Sequence, residues 1–374
     1  MQTRSLFRIF FAVGLFPALA IAVTAAPASR KVIIDQDAFG PGGPNLQPIL
    51  MVIQSPDVEV LGITIESGDG WQKENVAHTL RMLELIGRTD IPVVAGATYP
   101  LVNTEEETRR WEKIYGKLAY KGAWMEEWPD YNTVNRTRYH AADVVPPLEE
   151  GEPATKPAAE TAADFLVREV RVFPGEVTIL AMGPFTNLAL AARLDDGFAA
   201  RAKELVIMGG SFNPRAPQLD EFAMQFIHSP RVEFNSRWDP EAAKIMLHAG
   251  WKKITAVPTD ATTATKLTPE LMRRATAATT PVAQYAARYA QPGFPMWDEV
   301  AAGIWLKPEL VRHSEGLAMD IEIDQGANYG ATLSWPAGKG PGQGEPDVAA
   351  VLEIDVPGLE ALFVECLTRP GAAK

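Results

Sequence analysis

The chain has 374 residues, enough for one large domain or two ordinary ones, and its 47% hydrophobic content is that of a globular protein. Its 47 acidic against 35 basic residues leave a formal charge of -12, which argues against a nucleic-acid partner, since a phosphate backbone calls for a basic face. A small uncharged or cationic molecule fits better, and the single cysteine excludes an internal disulfide framework.

The first element is a leader. Arg4 and Arg8 precede an apolar stretch over 9–23 and small residues over 25–28, the layout of a secretory signal peptide spanning 1–26, with cleavage after Ala26 or Ala28. A retained membrane anchor is disfavoured because the apolar run is short and holds Pro17. The expected location is secreted or periplasmic, with no stable membrane insertion once the leader is gone.

From residue 30 to 370 apolar runs alternate with helix-like segments, which predicts one α/β domain whose mainly parallel central sheet is flanked by helices. Strands are expected at 32–35, 58–65, 91–95, 177–181, 204–208 and 254–258, with helices at 45–54, 75–86, 158–172, 187–194 and 240–249. Two regions interrupt the rhythm. Residues 103–157 form a long excursion rich in charges, prolines and aromatics, Trp111, Tyr115, Tyr120, Trp124, Trp128, Tyr131 and Tyr139 among them. So long a connection is more often a functional lid or excursion than an idle loop, and its Trp111, Trp124 and Trp128 read mainly as structural or lid residues. A second irregular stretch covers 213–229. Asn135-Arg136-Thr137 matches a glycosylation sequon, a pattern common by chance. Cys366 sits beside Leu362-Phe363-Val364 and reads as a buried, inert thiol.

The chemistry begins at Lys31-Val32-Ile33-Ile34-Asp35-Gln36-Asp37, an apolar run ending in two carboxylates two residues apart, hence on the same side of an extended chain. Open α/β sheets bind ligands at the C-terminal ends of their strands, so the pair is placed to face a hard cation; the same residues also suit a plain Asp-rich turn. Small or polar residues recur after three more expected strands, as Glu66-Ser67-Gly68-Asp69, Gly183-Pro184-Phe185-Thr186-Asn187 and Gly209-Gly210-Ser211. Such turns favour these residue types anyway, but their recurrence at four strand ends points to a site there.

Taken in order, these segments resemble the inosine-uridine type nucleoside hydrolases over nearly the whole mature chain. The likeness rests on 32–37, Val60-Leu61-Gly62-Ile63-Thr64, the stretch 79–88 leading to Ile91-Pro92-Val93, residues 183–189, Val206-Ile207-Met208-Gly209-Gly210, Glu233-Phe234-Asn235 before Asp239-Pro240-Glu241-Ala242-Ala243, and Trp297-Asp298. It implies a calcium ion at the bottom of the pocket, held by Asp35, Asp37, Asp298 and the backbone carbonyl of Thr186, that binds the ribose diol and the attacking water. It further implies Asp37 as general base, Glu233 and Asn235 as ribose contacts, and Asp69 as another sugar contact where many members have Asn. Many members have His before the last metal-binding Asp; Trp297 here resembles the purine-preferring branch, in which aromatics stack on the base. The chemistry agrees, because breaking an N-glycosidic bond builds positive charge on the sugar that a carboxylate-rich pocket stabilises. A metal lowers the pKa of its water, an Asp can take the proton, and oxygen-only ligation suits calcium over zinc.

The pattern breaks in two places. The family's paired acids before the first helix fall on Pro44 and Asn45, of which only Asn45 can offer an oxygen to calcium, and Ile227 stands where many members have a sugar-contacting Asn. None of the five histidines occupies a compelling position; His228, the one near a motif, reads as surface or supporting. Two expectations follow: a calcium-dependent hydrolase of ribonucleosides, with a purine preference in view, or a divergent relative that binds a sugar or nucleoside without turning it over. A homo-oligomer is compatible with either.

Overall fold

Both faces of the first strand are covered, which is why its apolar run is unbroken: Val32 and Ile34 point into one buried layer and Ile33 into the opposite one. The same alternation continues sideways, with Leu180 and Val206 facing the first layer and Ile179, Leu205 and Ile207 the second. The computed structural model describes residues 29–128, 138–212 and 231–370. In chain order the elements through the middle of the fold are β1 (Arg30–Gln36), α1 (Leu46–Ile53), β2 (Val58–Ile65), α2 (Gln72–Ile86), β3 (Val93–Ala95), α3 (Glu105–Tyr115), α4 (Ala162–Val172), β4 (Val177–Ala181), α5 (Thr186–Leu194), α6 (Phe198–Arg201) and β5 (Glu204–Met208). They continue as α7 (Phe234–Trp238), α8 (Pro240–Leu247), β6 (Ile254–Val257), α9 (Thr259–Thr262), α10 (Pro269–Ala275), α11 (Pro281–Tyr289), α12 (Trp297–Leu306), β7 (Val311–Ile321), β8 (Thr332–Pro336), β9 (Asp347–Ile354) and α13 (Val356–Thr368).

The strands form one nine-stranded sheet in the order β3-β2-β1-β4-β5-β6-β9-β7-β8. From β3 to β9 the neighbours run parallel; β7 then pairs antiparallel with both β9 and β8. Parallel neighbours need crossovers, and the helices that supply them cover the two faces. Residues of α1, α2, α10, α11, α12 and α13 fill one layer, and residues of α4, α5, α6 and α8 fill the other. All six expected strands and all five expected helices are present, with shifted ends. Register aligns the C-terminal ends of β2, β1 and β4, since Asp35 is opposite Thr64 on one side and Ala181 on the other.

The excursion after β3 holds a helix that no apolar periodicity announces. α3 is started by Thr104, whose hydroxyl accepts the Glu107 amide at 3.1 Å, and by Glu105, Glu106 and Glu107 at its positive end. Its Trp111 and the later Trp124 are buried, in keeping with a structural role. Cys366 lies buried in α13, where burial pushes its thiol up to about 11. Among the described residues no helix is long and apolar enough to cross a membrane. The leader, Tyr131, the sequon, the stretch 213–229 and with it Ile227 and His228 lie outside the described residues.

Candidate active site

Asp35 and Asp37 flank Gln36, the last residue of β1, and both are buried. Asp35 Oδ1 accepts from the Thr64 hydroxyl on β2 and from Asn187 Nδ2 on α5 at 2.9 Å, while its Oδ2 has no partner. Asp37 Oδ1 accepts from Asn45 Nδ2 at 3.1 Å, and its Oδ2 from the backbone N–H of Asp69 at 2.7 Å. The Asn45 amide also reaches Asp69 Oδ2 at 3.1 Å, leaving its own Oδ1 buried and unpartnered. Gln36 then ties in the far end of the chain: its Nε2 donates to Asp298 Oδ2 at 2.9 Å, at the start of α12. Asp37, Asn45 and Asp69 are thus joined directly, and Gln36, between Asp35 and Asp37, brings in Asp298 across 262 residues of sequence.

The remaining expected residues line the same edge of the sheet. Thr186 opens α5, its hydroxyl donating to Asp239 Oδ2 at 2.7 Å. Glu233 caps α7: its Oε1 takes the Asn235 amide at 2.7 Å and its Oε2 the Gly210 and Ser236 amides at 3.1 Å each. Asn235 Nδ2 donates to the carbonyls of Met182 and Met208 at 3.2 and 3.0 Å, pinning α7 to the ends of β4 and β5. Trp297 is half-buried beside Phe294, with ring centroids 6.3 Å apart.

Several participants escaped the sequence reading. Glu66 is buried, accepts the Asn187 amide at 2.8 Å, and leaves Oε1 unpartnered. Glu299, next to Asp298, is buried with neither oxygen partnered, and burial raises it to about 8. Tyr120, from the excursion, donates to Asp69 Oδ1 at 2.7 Å. Glu66 stood in a motif that hinted at a site, but nothing local marked the other two.

Electrostatically the site is one-sided. Burial lifts Asp35 to about 7 against the relief given by Thr64 and Asn187. Burial also pushes Asp37 well above the usual carboxylate range, with Asp69 and Asp298 adding repulsion, and Asp298 rises through burial and the charges of Glu299, Asp69 and Glu233. Asp69 and Glu233 are raised by burial too, and no cationic side chain of the described residues is among the main causes of these shifts. Buried anions persist only when paired or metal-bound. The donor set fits a hard cation: its groups are oxygens, and Asp35 Oδ2 and Asn45 Oδ1 are buried without partners. Among the described residues no three acidic, His or Cys side chains are grouped to hold a metal ion, and the Asn45 and Gln36 amides meet oxygens of Asp37, Asp69 and Asp298. Turning the Asn45 amide about its last bond exchanges its nitrogen for an oxygen, so that side chain can serve either arrangement.

The chain is similar in sequence and fold to known proteins. The chain is 34% identical to uridine nucleosidase 1 of Arabidopsis thaliana over 239 residues, covering 64% of this chain and 59% of that protein. It is 29% identical to the probable uridine nucleosidase 1 of Oryza sativa subsp. japonica over 358 residues, covering 91% and 97%. Among solved structures, the plant nucleoside hydrolase PpNRh1 superposes with a TM-score of 0.68 at 25% identity, over 91% of this chain and 99% of that one. The purine-preferring ribonucleoside hydrolase of Gardnerella vaginalis shares the fold at a TM-score of 0.67 and 19% identity, over 90% and 98%. The model of the inosine-uridine preferring nucleoside hydrolases matches residues 32–361, and the chain belongs to that family of N-glycosidic bond hydrolases.

Proposed function

We propose that Asp37 is the general base for attack of water on the anomeric carbon of a ribonucleoside, beside a calcium ion held by Asp35, Asp37, Asp298, Asn45 and the Thr186 carbonyl. The observation that carries this reading is the fixing of Asp37: both carboxylate oxygens are anchored, at 3.1 and 2.7 Å, in a buried acidic cluster with no cationic partner among the described residues. Calcium there would restore the ionised carboxylates, lower the pKa of a water and grip a pair of sugar hydroxyls.

The protein's own groups do the rest. An anchored Asp37 keeps its oxygen in line for the proton of the attacking water, so orientation is settled before reaction. Asp69, Glu233 and Asn235 supply sugar contacts, and the surrounding carboxylates favour the oxocarbenium-like charge of the transition state. Trp297 supports stacking on a purine. The names of the Arabidopsis and rice relatives support uridine instead, so inosine and uridine are the substrates to compare. The leader pattern at residues 1–26 supports export, and we place the reaction outside the cytoplasm.

The test is release of free ribose from inosine and uridine by pure protein supplied with calcium. Turnover is expected for the wild type, and Asp37→Ala should lower kcat by about a thousandfold. Undiminished turnover in that variant, or hydrolysis of neither nucleoside by the wild type, would overturn the proposal.

A further inference from the structure

The excursion reaches the candidate site. Tyr120 donates its hydroxyl to Asp69 Oδ1 at 2.7 Å, and Asn45 Nδ2 reaches Asp69 Oδ2 at 3.1 Å, so each oxygen of this carboxylate is held by a neutral donor. The phenol has little freedom of its own. Its ring meets Phe234, the neighbour of Glu233, edge-on at 4.7 Å, and Trp128 lies 5.8 Å away. Two residues further on, Gly122 has φ +53°, and a Cβ there would overlap the carbonyl of Gly68. The Ala123 N–H donates to that carbonyl at 2.9 Å, and Trp124 stacks on Trp238 at 4.0 Å. The excursion is therefore docked on the loop that carries Asp69, with the Tyr120 hydroxyl at the contact.

We propose that Tyr120 is a positioning residue for ribose recognition: its hydroxyl fixes Asp69 so that the carboxylate accepts a hydrogen bond from a sugar hydroxyl, coupling the docked excursion to the choice between ribose and deoxyribose. A carboxylate oxygen has two lone-pair directions, so Asp69 keeps acceptor capacity after meeting Tyr120 and Asn45. An ionised carboxylate reads only donors, and a sugar lacking the hydroxyl leaves the remaining acceptor position of Asp69 desolvated and unfilled. Discrimination of this kind needs a fixed acceptor, because a carboxylate free to rotate finds water or another partner. The proposal rests on the assignment of Asp69 to the sugar.

Tyr120→Phe keeps the ring and removes the hydroxyl. With a ribonucleoside, kcat/KM should fall about tenfold, whereas the 2′-deoxy analogue should change less than about twofold, so the preference for ribose contracts. In the Asp69→Asn background the same substitution should have little further effect, which a purely structural tyrosine would not reproduce. An unchanged ribose preference in Tyr120→Phe, or equal losses on both sugars, overturns the proposal. An inactive wild type would instead refute the role given to Asp37; calorimetric titration with D-ribose and 2-deoxyribose then decides for Tyr120, a preference for ribose that contracts in Tyr120→Phe supporting it and equal affinities or no contraction refuting it.

Discussion

Gly68 shows how closely the backbone is fitted around the proposed base. A Cβ at this position would overlap Asp37 Oδ2 and lie 2.8 Å from Pro184 Cδ, and one at Gly183 would lie 2.6 Å from the Asp37 nitrogen. The Asp37 carboxylate is anchored at both oxygens, so a methyl group at Gly68 has to push it away from the Asp69 amide it now accepts at 2.7 Å. Displacing a reacting group by about 1 Å costs on the order of a hundredfold in rate. Gly68→Ala is accordingly expected to lose about two orders of magnitude in kcat while its circular dichroism spectrum stays native. Gly326→Ala, where an added Cβ meets nothing within 4 Å, serves as the control and should match the wild type. Full activity in Gly68→Ala would show that the rate does not depend on this placement of Asp37.

At the scale of elements, the later part of the excursion is tied to α2 by two histidine–glutamate pairs. His78 Nδ1 meets Glu150 with Glu74 nearby at 3.9 Å, and His140 Nε2 meets Glu74 at 3.1 Å. Arg81 also binds the Glu150 carbonyl at 2.8 Å, and the buried Tyr285 faces the same carboxylate. Burial by itself would lower His78, but the hydrogen bonds and charges of Glu150 and Glu74 outweigh it and raise the imidazole to about 9. With the folded value above the unfolded one near 6.5, the tie contributes fully below about pH 6.5 and is lost as the pH rises through about 9. Melting temperature should fall across that window by an amount corresponding to on the order of 3 kcal/mol, and His78→Gln should flatten the fall; a slope unchanged in the variant would count against the tie. Such pairs were invisible in the sequence, since His78 and Glu150 lie 72 residues apart and Tyr120 and Asp69 51 apart, with no periodicity linking them. What could be read was local: an apolar run such as 32–34 buried on both faces, ended by acids, announces both a strand and its site. β7 escaped because its first half, Val311–Gly316, is half-buried to exposed and carries no apolar run.

Over the whole molecule, parallel strand order concentrates charge at one edge. Asp35 in β1 and Asp37 just after it, Asp69 beyond β2, Glu233 at the head of α7 and Asp298 at the head of α12 gather where the strands end, and burial raises each of them. The packing that covers both faces of the sheet also removes the water that would solvate these carboxylates, so the fold carries a standing electrostatic cost in its own site. An ion that binds only the folded chain offsets that cost, stabilising it by about 2.7 kcal/mol at a hundred times its Kd. In a chain of this size that amounts to a rise of several degrees in melting temperature. Millimolar calcium should therefore raise the Tm of the pure protein at neutral pH, and chelation should reverse the rise. Asp298→Asn should reduce the calcium response because it removes the negative charge of a proposed ligand, although it also relieves repulsion and can itself raise the Tm of the metal-free protein. Zinc, which favours nitrogen and sulfur donors, should give the smaller shift. A Tm indifferent to calcium in a protein that still hydrolyses nucleosides after chelation would mean that these carboxylates work as a proton-sharing cluster and not as a metal site.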